Sequence, residues 1–330
     1  MTTTQTSTLH EGSWHLMHLL DQSPGLLTLG DTLIDLTEEG HPIVAATADL
    51  MYSNGLVRYQ QRYPERFFQF GISEQNMVSA SSGLATTGLR PYVATFASFL
   101  ALLCCEQIRT DVAYGGQPVR LIGHHAGITL GFYGTSHHAT EDLAIMRSIA
   151  DLAVVAPADR AQLSAALRAT VDHDGPIYFR IGRGREPDVY EMGAAEFELG
   201  RGIEHGLGDD LTIIATGSMV HPTLAAAEIL RDEGHSVGVI DLHTIKPLDE
   251  EIVLRAAYQS TRLMTVEEHN VLGGLGGAVS EVMTSRGVRA PLHRHGIRDT
   301  FSLIGPPTHL YSHYRLDADG IAAEARELLA

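Results

Sequence analysis

The chain has 330 residues, 44% of them hydrophobic, and a formal net charge of −17. That length favours two domains over one, and the apolar share suffices for full cores, which excludes a disordered chain. The acidic balance argues against a nucleic-acid groove or an anionic membrane surface as partner, while leaving room for a locally basic pocket that takes an anion.

Residues 1–20 open on a Ser/Thr-rich stretch without the basic flank of a signal peptide and read as a tail. No apolar run approaches the roughly 18 residues of a membrane helix. Cys104 and Cys105 are adjacent, poorly placed to bridge each other, so no disulfide framework is expected. Together these features predict a soluble cytoplasmic protein.

In chain order, residues 42–47, 91–96, 119–123, 152–157 and 176–181 form short runs, apolar and β-branched almost throughout. Such runs suit strands covered on both faces. Helical patterns lie between them. In residues 159–172, for example, Leu163, Leu167 and Val171 recur every fourth position as one stripe. Repeated strand–helix–strand units predict a parallel, doubly wound sheet. Residues 182–202 are rich in charge and glycine, keep no period and read as a linker. The alternation then resumes, with strands at 211–217, 236–242 and 261–268 and helices at 221–234, 248–258 and 273–287. Pro222 sits near a helix start, where its missing N–H costs little, and Gly234 just past the helix end. Two α/β domains follow, the second smaller than the first.

Glu74 opens the small-residue run 74–88 behind Ser73. By itself this is an N-cap followed by a first-turn acid that favours the helix dipole. Phe96 and Phe99 would pack as core aromatics, and Asp49 would be a turn acid at a strand end. The pairs His124–His125 and His137–His138 lack the spacing and cysteine partners of a zinc site and read as surface loops. Arg180 and Arg183 lie just beyond a strand, where open α/β sheets bind ligands. Residues 273–278, GGLGGA, break the spacing of a dinucleotide loop and suit close helix packing.

Taken together, the segments TADLMYSN (47–54), FGISEQNMVSASSGLATTG (70–88), TFASFLALLCCEQIR (95–109), HHAGITLGFYGTSHHATEDLAIMR (124–147), VVAPAD (154–159) and FRIGRGREP (179–187) occur in an order and spacing that resembles the transketolase family. The resemblance covers only that family's C-terminal half. It implies two mainly parallel α/β domains: a tail at 1–20, a pyrimidine-binding domain at 21–190, a linker at 191–204 and a C-terminal domain at 205–330.

The resemblance also implies roles. Glu74 matches the glutamate that contacts N1′ of the aminopyrimidine of thiamine diphosphate, where a carboxyl in an apolar setting keeps a proton to share. Phe99 matches the ring that stacks on the pyrimidine, Phe96 lies beside it, and Asp49 matches an acid facing the cofactor. His125 and His137 match histidines of the sugar channel, handling hydroxyl protons. His124 and His138 match less well. Arg183, with Arg180 nearby and Ser53, matches the grip on a sugar phosphate.

Two departures stand out. Leu26 occupies the place of a phosphate-binding arginine, and Tyr133, within GFYG (131–134), replaces an aspartate that senses a substrate hydroxyl. Both make the acceptor pocket less polar, which points to a smaller, branched, otherwise modified or sulfonated sugar.

The G-D-G…N motif with which the family holds Mg²⁺ and the diphosphate does not occur in these residues. The expectation is therefore a split transketolase, moving a two-carbon ketol unit from a ketose to an aldose. A partner subunit would carry the G-D-G…N site and Mg²⁺, and the assembly would be α₂β₂. The alternatives are the β-subunit of a 2-oxo acid dehydrogenase E1 component and a non-catalytic partner subunit.

Overall fold

The structure, a computed structural model, describes residues 24–330; the tail assigned to 1–20 lies outside them. Helix α1 (Pro24–Glu38) leads into strand β1 (Ile43–Thr47). Then come α2 (Val57–Arg62), β2 (Phe67–Gln69), α3 (Glu74–Ala85) and β3 (Arg90–Phe96). A helical segment follows in which the short α4 (Cys105–Gln107) lies between π-helical turns at Phe99–Leu103 and Ile108–Ala113. The first domain is completed by β4 (Arg120–His124), α5 (Asp142–Ser148), β5 (Ala153–Val155), α6 (Arg160–Ala169) and β6 (Ile177–Arg180). β1, β3, β4, β5 and β6 lie where the apolar runs place them. β2, only three residues long and partly exposed, carries too little pattern to read.

The second domain holds β7 (Ile203–Glu204), β8 (Leu211–Ala215), α7 (Val220–Asp232), β9 (Val237–Asp241) and β10 (Thr244–Lys246). It continues with α8 (Glu250–Gln259), β11 (Arg262–Asn270), α9 (Leu275–Ser285), β12 (Leu292–Ile297), α10 (Pro307–His313) and α11 (Ala318–Leu329). Gly234 follows α7 at φ 95°, a backbone state that other residues reach only at a cost.

The first sheet runs β10-β5-β6-β4-β3-β1-β2 and the second β12-β11-β8-β9-β7. All pairings are parallel except β10 with β5 and β7 with β9. The expected architecture of two mainly parallel, doubly wound α/β domains is the one observed. The two domains are also interlocked. β10, from the second, pairs antiparallel with β5 of the first, and Ala156 N donates to His243 O at 2.7 Å. One hydrophobic cluster runs through both, joining Met77, Leu121, Met146 and Val154 to Ile240, Leu242, Ile252 and Leu275. Among the described residues both cysteines are free, and no helix is long and apolar enough to cross a membrane.

Candidate active site

Parallel strands deliver their carboxyl ends to one rim of the first sheet, and that rim collects most of the candidate residues. Ala48 and Asp49 follow β1, Phe96 ends β3, His124 ends β4 with His125 after it, and Arg183 follows β6. Such a rim is where α/β sheets place ligands, because loops there vary while the strands stay fixed. Asp49 and His125 both have positive φ, 60° and 58°. For non-glycine residues that is a strained state, held here by the Asp49 N–H donating to Gln69 Oε1 at 2.6 Å and the His125 N–H donating to His124 Nδ1 at 3.0 Å.

Aromatic packing ties the cluster together. Ring centroids of Phe96 and Phe99 are 5.5 Å apart, Phe96 and His125 4.9 Å, Phe99 and His137 5.1 Å, and Tyr133 and His137 4.9 Å. These are ordinary edge-on separations, so the five rings form one connected wall. Phe99 stands at the first residue of a π-helical turn, a distortion common at functional sites. His137 Nδ1 lies 2.8 Å from Ser136 Oγ, and Ser98 Oγ donates to the His137 carbonyl at 3.0 Å.

The histidines are held neutral. Burial, helped by the neighbouring His124 and by Arg183 and Arg185, depresses His125 well below its usual range. Burial also lowers His137. The buried Nδ1 of His125 has no hydrogen-bond partner. A neutral imidazole with an open nitrogen can take part in a hydrogen bond with a substrate hydroxyl. His124 is wholly buried and pushed down to about 3, chiefly by burial and then by Arg183. His138 Nδ1 is 2.6 Å from Ser302 Oγ, which occupies that nitrogen.

Glu74 is the first residue of α3, but it is not the solvated first-turn acid of the simpler reading. Ser73 makes no side-chain cap, and Glu74 is 7% exposed. Its carboxylate has no hydrogen-bond partner among the described residues. Around the mouth of α3 the surface is apolar: Ile72 is 85% exposed, and Leu102 and Leu103 are also exposed. Gln75 Nε2 donates to Leu103 O at 2.9 Å, which sets that apolar pair beside the start of α3.

Arg183 and Arg180 part company. Arg183 is half-buried and, among the described residues, carries no ion pair. Burial and then Arg185 lower its pKa, while Tyr133 and Glu186 raise it. Arg180 is not with the site. It is buried, its Nε is 2.9 Å from Asp142 Oδ2, and its Nη2 donates to the carbonyls of Ala139 and Glu268 at 3.2 and 2.7 Å. Its Nε and Nη2 are thus engaged at the seam between domains, where Arg180 acts as a structural tie.

The loop that carries Ser53 packs closely against the start of α1. A Cβ on Gly55 would lie 1.8 Å from Leu26 O, and one on Gly184 2.2 Å from Leu26 N. Only glycine lets the Ser53 loop, the start of α1 and the Arg183 loop close on one another there. The Leu26 backbone thus lies against Gly184, next to Arg183 in the chain, while its side chain packs with Leu27 and Val57.

Glu268 is the residue that sequence reasoning missed. It stands on β11 in the second domain, is 2% exposed, and accepts from Ile128 N (2.6 Å), Ser218 Oγ (2.7 Å) and Tyr311 OH (2.9 Å). Burial raises its pKa, against lowering by Arg180 and these donors. Its carboxylate fastens the 126–129 loop that follows His125. The signal in the sequence is the Glu267–Glu268 pair at the end of an otherwise apolar strand. Next to Arg183, a cleft of about 680 Å³ opens between the domains, with Thr129, Ser218, His221 and Tyr311 on its walls.

Comparison with known proteins agrees with this geometry. The pyrimidine binding domain of transketolase matches residues 27–187, and the transketolase C-terminal domain matches residues 200–321. The 6-deoxy-6-sulfo-D-fructose transketolase subunit of Clostridium sp. (strain MSTE9) is 38% identical over 91% of this chain and 93% of its own. One of the apulose-4-phosphate transketolase subunits of Phocaeicola vulgatus is 36% identical over 91% and 95%. A solved split-gene transketolase, described as an inactive β4 tetramer, superposes with a TM-score of 0.85 at 37% identity, covering 92% of this chain and 98% of that one.

Proposed function

The chain belongs to the transketolase family, spanning its pyrimidine-binding and C-terminal domains, and from that premise we propose that it is the C-terminal subunit of a split transketolase. It would move a two-carbon ketol unit from a ketose to an aldose, with thiamine diphosphate shared with a partner subunit. The observation that carries the reading is the wall of Phe96, Phe99, His125, Tyr133 and His137 at one sheet rim, flanked by Arg183. Buried Glu74, without a hydrogen-bond partner among the described residues, opens the helix packed beside the Phe99 turn.

These residues fit the aminopyrimidine half of the cofactor, since a buried unpartnered carboxylate and paired aromatic rings are what a flat, protonatable heterocycle requires. When bound, thiamine diphosphate supplies the electron sink for cleaving a ketose between C2 and C3. Glu74 would hold a proton at N1′, Phe99 and Phe96 would pack against the ring, and Asp49 would face it. His125 and His137 would pass protons to and from substrate hydroxyls, a task that suits neutral imidazoles. Arg183 and Ser53 would grip the anionic end of the sugar. The diphosphate and Mg²⁺ would be held by the partner's G-D-G…N site. The apolar rim of Ile72, Leu102 and Leu103 supports a site completed by another chain, because exposed apolar groups around a buried carboxylate call for a cover.

Leu26 and Tyr133 favour a modified sugar over an ordinary pentose phosphate, and two relatives named for 6-deoxy-6-sulfo-D-fructose and apulose-4-phosphate support that choice. The test is a panel of ketose donors and aldose acceptors, phosphorylated and sulfonated, assayed on the reconstituted pair. Ketol transfer to a modified acceptor is expected, and Tyr133→Asp should shift the kcat/KM ratio towards ordinary 2-hydroxyaldehyde phosphates. Turnover of 2-oxo acids without ketol transfer would overturn the reading.

A further inference from the structure

We propose that His293, His295 and Glu324 form a binding site for a divalent transition metal of the zinc class, at the edge of the second sheet. The site is separate from the thiamine chemistry and does not depend on it.

The pattern begins in β12. Residues two apart on a strand share a face, so His293 and His295 project together, their rings near-parallel at 19° and 6.5 Å apart. Arg294, between them, reaches the other way and donates to Val271 O at 3.1 Å. Across from the two rings stands Glu324 on α11, 6% exposed. His293 Nε2 lies 3.3 Å from Glu324 Oε1, and His295 Nδ1 lies 3.8 Å from the same oxygen. One ligand atom from each residue falls within 4.8 Å of the other two. Tetrahedral zinc with bonds of about 2.0–2.1 Å holds its ligand atoms about 3.3 Å apart, so the site needs only a small contraction.

Proton placement makes the case sharper. His295 Nε2 is 2.7 Å from the carbonyl of Arg315, which can only accept, so Nε2 carries the hydrogen. Nδ1 is then a lone pair, and it faces a carboxylate oxygen. His293 Nε2 is buried and has no hydrogen-bond partner, its approach to Glu324 being misaligned. The Nδ1 lone pair of His295 and Oε1 of Glu324 therefore face each other without a donor hydrogen between them, beside the unpartnered His293 Nε2, and such convergence calls for a cation. The backbone carbonyl on His295 is the usual outer support of a metal-binding imidazole.

Neighbouring charges leave a place for the ion. Arg315 Nη1 holds Glu324 Oε2 at 2.8 Å and also Glu327 at 3.0 Å, which orients the carboxylate and leaves Oε1 towards the histidines. Arg298 is the competitor, 3.4 Å from Oε1, but its side chain is 79% exposed and can swing into water. His293, at 28% side-chain exposure, is the most exposed of the three residues, so the site lies next to solvent. A bound metal would pin α11 to an edge strand that has a neighbour on one side only.

The test uses the full chain, free of any affinity tag and dialysed against a chelator. Zn²⁺ is titrated by calorimetry, with Mg²⁺ as control, and Co²⁺ is followed by its visible absorption. One Zn²⁺ per chain, no Mg²⁺ at the same concentrations, and an intense tetrahedral Co²⁺ spectrum are expected. His293→Ala and Glu324→Gln should each weaken Zn²⁺ by at least about tenfold. His137→Ala, at the other histidine cluster, should leave that affinity unchanged. Absence of saturable Zn²⁺ binding, full affinity in His293→Ala, or a weak octahedral Co²⁺ spectrum would each overturn the proposal. The Co²⁺ spectrum is read on the unaltered chain, so the proposal stays testable even where a variant does not fold.

Discussion

Glu74 shows how one residue changes meaning between sequence and structure. As a first-turn acid its exchange would cost a few tenths of a kcal/mol, about the worth of a dipole contact. As a buried carboxylate facing the cofactor in the proposed reading, it would carry the proton transfer. Glu74→Ala and Glu74→Gln, reconstituted with the partner, are therefore expected to lose about 10²–10⁴-fold in rate while keeping the wild-type melting temperature. The measurement is C2-proton exchange of the bound cofactor by NMR, and wild-type exchange in either variant would remove Glu74 from the mechanism. The arginines teach the complementary lesson. Arg180 and Arg183 carry the same charge in FRIGRGRE, three residues apart at the end of β6, and charge alone does not separate them. Their fates differ because Asp142 waits for Arg180 inside the domain seam, a pairing across 38 residues that no local pattern encodes.

At the scale of elements, the rim of the first sheet is built by strands and fastened by loops from the second domain. β11 carries Glu268, whose carboxylate holds the Ile128 N–H, while Gly305 N donates to Gly131 O at 3.3 Å near the Tyr133 turn. Loops fastened by one buried acceptor are sensitive to that acceptor, because an unsatisfied buried donor costs about 1–3 kcal/mol. Glu268→Gln is expected to lower kcat/KM by about tenfold in the reconstituted enzyme. It should also speed hydrogen exchange at the Ile128 amide. Unchanged protection of that amide would show that the loop does not depend on Glu268. β1, β3, β4 and β6 were legible as apolar runs because both faces are covered. β7, β10 and β12 were not, because each is short or polar and exists only through a neighbour.

For the whole molecule, the two domains share a buried network as well as a core. Asp241, at the end of β9, accepts from Gln162 of the first domain at 2.7 Å and from Tyr190 of the connecting segment at 2.8 Å. Burial pushes its carboxyl up to about 7, against the hydrogen bonds from Gln162 and Tyr190. The folded chain thus keeps a proton that the unfolded chain releases near the ordinary value of 3.8. This contribution to stability is complete below that value, is lost as pH rises to about 7, and is level above it. Asp241→Asn should therefore gain melting temperature relative to wild type between pH 5 and 8, and a difference that stays constant over that range would exclude the linkage. The open face of Glu74 leads to the last expectation. Calorimetric titration of thiamine diphosphate and Mg²⁺ should show no tight binding to the isolated chain, and binding once a partner of about 250–300 residues is added. Micromolar binding to the chain alone would refute the shared site. A two-fold α₂β₂ assembly is the expected form of the active enzyme, by sedimentation.

By itself the sequence determined the fold class, the two-domain order and most of the candidate site. Covered parallel strands announce themselves as unbroken apolar runs, and Glu74, Phe99, His125 and His137 lie in segments whose order and spacing resemble a known family. Tertiary structure alone decided that β10 crosses into the first sheet, that Arg180 is a tie while Arg183 faces the cleft, that Glu268 braces the His125 loop, and that His293, His295 and Glu324 meet. Each of these joins residues far apart in the chain through polar groups or short strands, whose partners are set by how the domains close rather than by any local period.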